Sequence, residues 1–135
     1  MLAKNQKTNL QVTKNFNMSE MEFYDAVPPE LVANATELLT NLQVLRDACN
    51  KSIQIISGYR SPERNKEVGG AKMSQHMFAN AADIRISGMK PQEMADLVEK
   101  LIKEGKMKQG GLGVYPRESG WIHYDTRGTK SRWVG

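Results

Sequence analysis

Apolar residues along the chain repeat with two different periods. Between Glu30 and Cys49, Leu31, Ala35, Leu38, Leu42 and Leu45 recur at three- and four-residue steps, which predicts an amphipathic helix. A second stripe, Met94, Leu97, Val98, Leu101 and Ile102, follows Pro91 at a helix N1 position and stops before Gly105. Four shorter stretches read as strands. They are 52–57, closed by Gly58, then 82–86, 112–115 and 121–126, the last two joined by a turn containing Pro116 and Gly120. Ser19-Glu20-Met21-Glu22 fits a capping box opening a short helical turn, and Pro28-Pro29 divides it from the long helix.

Two regions follow neither period. Residues 1–17 are polar apart from Leu10-Gln11-Val12 and are expected to extend along the domain, with the arm proper assigned to 1–13 and the domain to 14–135. The stretch 59–80 holds Pro62, Gly69 and Gly70 and has room for one helical turn. An irregular segment of this length inside a compact domain is functional or disordered as a rule. Here it carries Arg60 at one end and His76 near the other, which favours function. The mixture of elements, with hairpin-length links, predicts a single α+β domain with a mainly antiparallel sheet and flanking helices.

Composition narrows the possibilities further. A chain of 135 residues suits one domain. No apolar run approaches the ~18 residues of a membrane span. The stretch 1–7 lacks the apolar core of a secretory signal, so synthesis in the cytoplasm is expected, with any target outside reached by lysis or delivery. The net charge of +4 would attract polyanions, but the basic residues are dispersed and no Lys/Arg block interleaves with aromatics. A nucleic-acid partner is therefore not expected. The single cysteine, Cys49, excludes an internal disulfide and a Cys-rich zinc site; at the end of the long helix it suits packing.

The chain has only two histidines, His76 and His123. With Asp83 they make a two-imidazole, one-carboxylate set of the kind that holds a catalytic zinc and leaves a fourth position for water. Strand alternation puts Trp121, His123 and Asp125 on one face, with Ile122 and Tyr124 on the other. If the latter pair enters the core, the former faces the site. Met73, Met77 and Met89 read as flexible packing residues.

Four ordered blocks carry a family resemblance. Ser74-x-His76-x6-Asp83, with Ala81 between, follows Ser57-Gly58-Tyr59-Arg60-Ser61 and precedes Gly111-Leu112-Gly113-Val114-Tyr115-Pro116. His123-Tyr124-Asp125-Thr126-Arg127-Gly128 and Arg132-Trp133 complete the pattern. Together, over about residues 14–134, they resemble the zinc D-Ala-D-Ala carboxypeptidases and D,D-dipeptidases. That family shares its fold with phage cell-wall endopeptidases and the hedgehog signalling domain.

The resemblance implies one Zn²⁺ held by His76, Asp83 and His123, and hydrolysis of an amide in peptidoglycan stem or cross-bridge peptides. The protein would then act on the cell wall after release or delivery. Tyr59 and Arg60 fall in the family's substrate-binding block; Arg60 would fix a carboxylate or polarise the scissile carbonyl, unless it braces a turn. Ser74 would hold substrate or orient the first ligand, or cap its turn. Trp121 would wall the substrate or pack in the core. The chain departs from the family where an acid or histidine usually precedes the last ligand: Gly120 and Trp121 stand there. Asp125 or Glu118 is then the candidate base, with Asp125 alternatively orienting an imidazole or pairing with Arg127, and Glu118 alternatively an exposed turn residue. The same departure sustains a second reading, a non-catalytic zinc-stabilised recognition module for cell wall or protein.

Overall fold

The computed structural model describes residues 8–135. Of the arm assigned to 1–13, the part over 1–7, which was also read for a secretory signal, lies outside the described residues. Helix α1 spans Val32–Cys49, with Ala35, Leu38, Leu39, Leu42 and Leu45 fully buried. It ends at Asn50 in the left-handed region (φ 51°), which the short polar side chain of asparagine tolerates. Strand β1 (Ile53–Ser57), helix α2 (Pro62–Glu67), strand β2 (Ala81–Ile86) and helix α3 (Pro91–Lys103) follow. The chain closes with β3 (Gly111–Tyr115), β4 (Trp121–Asp125) and β5 (Ser131–Val134). Among the described residues no helix is long and apolar enough to cross a membrane.

The strands form one sheet in the order β1-β2-β4-β3-β5. The β1–β2, β2–β4 and β3–β4 pairings are antiparallel, whereas β3–β5 is parallel. The sheet is thus mixed and not the mainly antiparallel one expected. The cause is β5, a strand the pattern does not reveal because Ser131-Arg132-Trp133-Val134 shows no alternation. Residues 126–130 carry the chain across the end of β3. Gly128 turns there at φ +92°, its N–H donating to the Gln109 carbonyl, and the Ser131 N–H donates to that of Gly110.

Two local expectations also shift. The capping box begins two residues earlier than expected: Asn17 caps a 3-10 turn at Met18–Met21, accepting from the Ser19 N–H while Glu20 accepts from the Asn17 N–H. The irregular stretch contains α2 and a 3-10 turn at Gln75–Phe78.

Period-two alternation sorts the sheet residues. Ile53, Ile55, Ala82, Ile84, Ile86, Leu112, Val114, Ile122 and Tyr124 are buried in one core with the inner stripes of α1 and α3. The opposite face carries Asp83, Gly113, Tyr115, Trp121, His123, Asp125 and Trp133. That division decides where chemistry can occur.

Candidate active site

Strand register sets the first feature of the site. Ser57 pairs with Asp83, Asp83 with His123, His123 with Gly113, and Gly113 with Trp133, so these residues form one row across all five strands. The second histidine arrives from outside the sheet. The Ser74 hydroxyl caps the 3-10 turn by accepting from the His76 N–H (3.3 Å), and the turn ends at Ala79 in the left-handed region (φ 57°). The Arg60 N–H donates to the His76 carbonyl, tying this turn to the segment after β1.

Hydrogen bonds fix which nitrogen of each ring is available. His76 Nδ1 lies 2.7 Å from the Gly58 carbonyl, which can only accept, so Nδ1 carries a proton and Nε2 turns to Asp83 Oδ1 at 3.5 Å. His123 Nδ1 is 3.2 Å from the same oxygen, and its Nε2 is 2.6 Å from Asp125 Oδ2. One donor atom from each of His76, Asp83 and His123 lies within 4.8 Å of the others. Asp125 is fully buried. Its carboxylate accepts from the Gly111 N–H (2.8 Å), from Arg127 Nε (2.9 Å) and Nη2 (2.8 Å), and from the Arg127 N–H (3.1 Å).

The electrostatics suit a cation. Burial pushes the Asp83 carboxyl upward, but hydrogen bonds from His123 and His76 outweigh it and hold the group well below the usual carboxylate range. Asp125 behaves alike: burial opposes ionisation, and His123, Arg127 and the Gly111 amide overcome it. Burial would lower His123, yet its bonds to Asp125 and Asp83 raise it above the ordinary imidazole value. A proton on His123 is therefore held between two carboxylates, a place where positive charge is favoured. Two imidazole nitrogens and a carboxylate oxygen are also the donor types that zinc takes. The residues fit such an ion.

These groups line a cavity of about 410 Å³ together with Arg60, Ser74, Tyr115, Arg127 and Trp133. Arg60 Nη1 donates to Asn65 Oδ1 (3.2 Å), and buried Asn65 donates in turn to the Ala71 carbonyl (2.8 Å). Gly70 is required beside them, since a Cβ there would stand 2.8 Å from the Arg60 guanidinium and 2.1 Å from Asn65 Oδ1. Trp133 lies 4.9 Å from the His123 ring and donates Nε1–H to the Tyr115 hydroxyl at 2.8 Å. A Cβ on Gly113 would sit 2.3 Å from that Nε1.

Other candidates occupy different places. Tyr59 is buried and borders a neighbouring cavity instead. Trp121 stacks on Tyr115 (4.9 Å, 9°) one step from the His123 row and does not line the site cavity. Glu118 is exposed and lines a separate hollow between the 116–120 turn and the start of α3. Met73, expected to pack, is 69% exposed at the cavity rim. Sequence reasoning did not assign Tyr115, Arg127 or Trp133 to the site. The signal was Gly110-Gly111-x-Gly113, since glycine inside a strand marks a close approach. Here Asp125, Arg127 and Trp133 lie across β3.

The family model for peptidase M15 matches residues 7–125. Peptidoglycan L,D-endopeptidase MepK of Escherichia coli (strain K12) is 37% identical over 81 residues, 56% of this chain and 41% of that protein. Probable peptidoglycan L,D-endopeptidase MepK of Haemophilus influenzae is 34% identical over 107 residues, 76% of this chain and 53% of the relative. Zinc D-Ala-D-Ala carboxypeptidase of Streptomyces albus G is 43% identical over 53 residues, 38% and 21% of the respective chains. The chain thus spans about half the length, or less, of these curated relatives. A match this long, over a fold that gathers His76, Asp83 and His123 on one sheet face, means that the chain belongs to the peptidase M15 family.

Proposed function

We propose that the chain is a zinc-dependent peptidase that hydrolyses an amide bond in the stem or cross-bridge peptides of peptidoglycan. The names of the relatives support that substrate class. One observation carries the reading: His76 Nε2, Asp83 Oδ1 and His123 Nδ1 converge in a cavity bordered by Arg60. One zinc ion on these three side chains would supply Lewis acidity and a water whose pKa falls to roughly 7.

The chain's own groups divide the remaining work. Arg60, held by Asn65, presents a permanent cation to the scissile carbonyl or to a substrate carboxylate. The Tyr115 hydroxyl accepts from Trp133 Nε1–H, which fixes the phenol in the cavity wall where its own O–H can hydrogen-bond a substrate oxygen. Trp133 walls the cavity beside His123 and excludes water from that side. Ser74 acts through the His76 turn that it caps.

Asp125 orients His123 and does not serve as base in this proposal, because both its oxygens are already engaged. Glu118 takes no part, since among the described residues Asp83 is the only carboxylate lining the cavity. Removing the Arg60 guanidinium by Arg60→Ala should cost kcat about 10²–10³-fold, the scale for one preorganised electrostatic group, with bound zinc retained.

Elemental analysis together with mass spectrometry of muropeptides before and after digestion tests the proposal. One zinc per chain and chelator-sensitive release of new amino termini are expected. Stoichiometric zinc without any turnover would sink the enzyme and leave the recognition module.

A further inference from the structure

Gln75 stands one residue before His76 and lines the same cavity, yet neither the metal cluster nor the division of work above uses it. Its Oε1 accepts from Asn80 Nδ2 at 3.0 Å. The left-handed residue Ala79 (φ 57°) turns the chain between them, so that Asn80 comes back beside Gln75. Asn80 is itself tied down. Its carbonyl accepts from the Thr126 N–H (3.1 Å) and the Thr126 hydroxyl (3.4 Å), just beyond β4.

One orphaned atom decides how the two amides are turned. Asn80 Oδ1 is buried and has no hydrogen-bond partner among the described residues. Were both amides turned over, the Asn80 NH2 would occupy that buried position with its donors unsatisfied. Folded proteins tolerate a buried carbonyl oxygen without a partner more readily than a buried N–H. Were only one turned over, two oxygens or two NH2 groups would face each other. Gln75 therefore gives its oxygen to Asn80 and keeps Nε2 on the other side of its amide. That nitrogen donates to no acceptor among the described residues, and unlike Asn80 Oδ1 it is not sealed in.

A carboxamide N–H is an uncharged donor, so it suits a neutral acceptor such as a peptide carbonyl, whereas Arg60 supplies the cation in the same cavity. Being neutral, it also adds no repulsion beside a site built for a cation. We propose that Gln75 is a substrate-binding residue: while Oε1 stays on Asn80, Nε2–H donates to the backbone carbonyl oxygen of an amide flanking the scissile one. The inference rests on the peptidase reading given above, and it concerns recognition and not the chemical step.

Cross-bridged stem peptides in which each flanking amide in turn is replaced by an alkene test it, because the alkene keeps the shape and neutrality but has no carbonyl oxygen. With the zinc-loaded wild type, one of these replacements should cost about five- to tenfold in kcat/KM, mostly through KM, the scale of one neutral hydrogen bond. Gln75→Glu keeps an oxygen for Asn80 but donates nothing. It should lose at least that factor on the parent peptide yet cleave the alkene peptide within about twofold of wild type, with zinc content unchanged. Gln75→Met, which adds no charge beside His76, should show the same pattern. Variants that slow parent and alkene peptides by one factor, or slow neither, would reduce Gln75 to a brace for the His76 turn and overturn the proposal while the peptidase stands. No cleavage of the parent peptide by the zinc-loaded wild type would remove the peptidase reading and this inference with it.

Discussion

At the scale of single residues, Asp125 shows how one carboxylate can be committed before any substrate arrives. Its oxygens hold His123 Nε2, the Arg127 guanidinium and the Gly111 amide, so the imidazole is locked with Nδ1 towards Asp83. Outer partners of this kind typically set metal affinity by about 10–100-fold. Arg127→Met should therefore weaken zinc binding by that amount in a chelator competition, while the circular dichroism spectrum stays unchanged. Protonation gives a second expectation, for the metal-free protein. Asp83 and Asp125 ionise more readily folded than unfolded, so they contribute stability above about pH 4 that is lost as pH falls towards their folded values. His123 is shifted the other way, and its contribution is complete below about pH 6.5 and fades as pH rises through its raised folded value. Urea midpoints of the chelated protein across pH should fall on the acid side, and Asp125→Asn should flatten that limb. A midpoint that stays level down to pH 3 would contradict the ion-pair geometry.

At the scale of elements, β3 is the strand whose sequence is set by what crosses it. Gly113 leaves room for the Trp133 indole, and Gly111 for Asp125 and Arg127. Gly113→Ala puts a methyl 2.3 Å from Trp133 Nε1, a contact that backbone or indole must relieve. The expected outcome is a changed tryptophan emission spectrum, a loss of about 1–3 kcal/mol in stability and lower activity. The turn that delivers His76 offers the opposite case, because Ala79 occupies a left-handed conformation (φ 57°) that costs a non-glycine residue roughly 1–2 kcal/mol. Ala79→Gly should raise the thermal midpoint slightly, once the greater freedom of glycine in the unfolded chain is subtracted. The helices were legible in the sequence because Leu38, Leu42 and Leu45, or Met94, Val98 and Leu101, must share a face to be buried. Strand β5 was not legible, because a four-residue edge strand carrying Arg132 and Trp133 has no buried alternation to show.

At the scale of the whole molecule, the sheet separates stability from chemistry. One face is sealed by α1 and α3 over a continuous apolar core, and the other bears the His76, Asp83 and His123 cluster with its cavities. Metal removal should consequently leave the fold intact while abolishing activity. The unfolding free energy of the chelated protein should fall only by the binding contribution, about 2.7 kcal/mol relative to protein at a hundredfold excess of zinc over its Kd. Complete unfolding on chelation would mean that the ion is part of the core. The sequence by itself determined the two long helices and the first four strands, and it singled out His76, Asp83 and His123, which the fold brings together as a cluster that could hold a metal ion, because burial periodicity and scarce chemistry-bearing side chains are local properties. It also marked Arg60, by its place in a recognisable block. Only the tertiary structure decided that β5 lies parallel beside β3, that Trp133 and Tyr115 wall the cavity in place of Trp121, and that Glu118 faces elsewhere. Those outcomes depend on strand order and register, which arise from contacts between segments distant in sequence and leave no periodic trace along the chain.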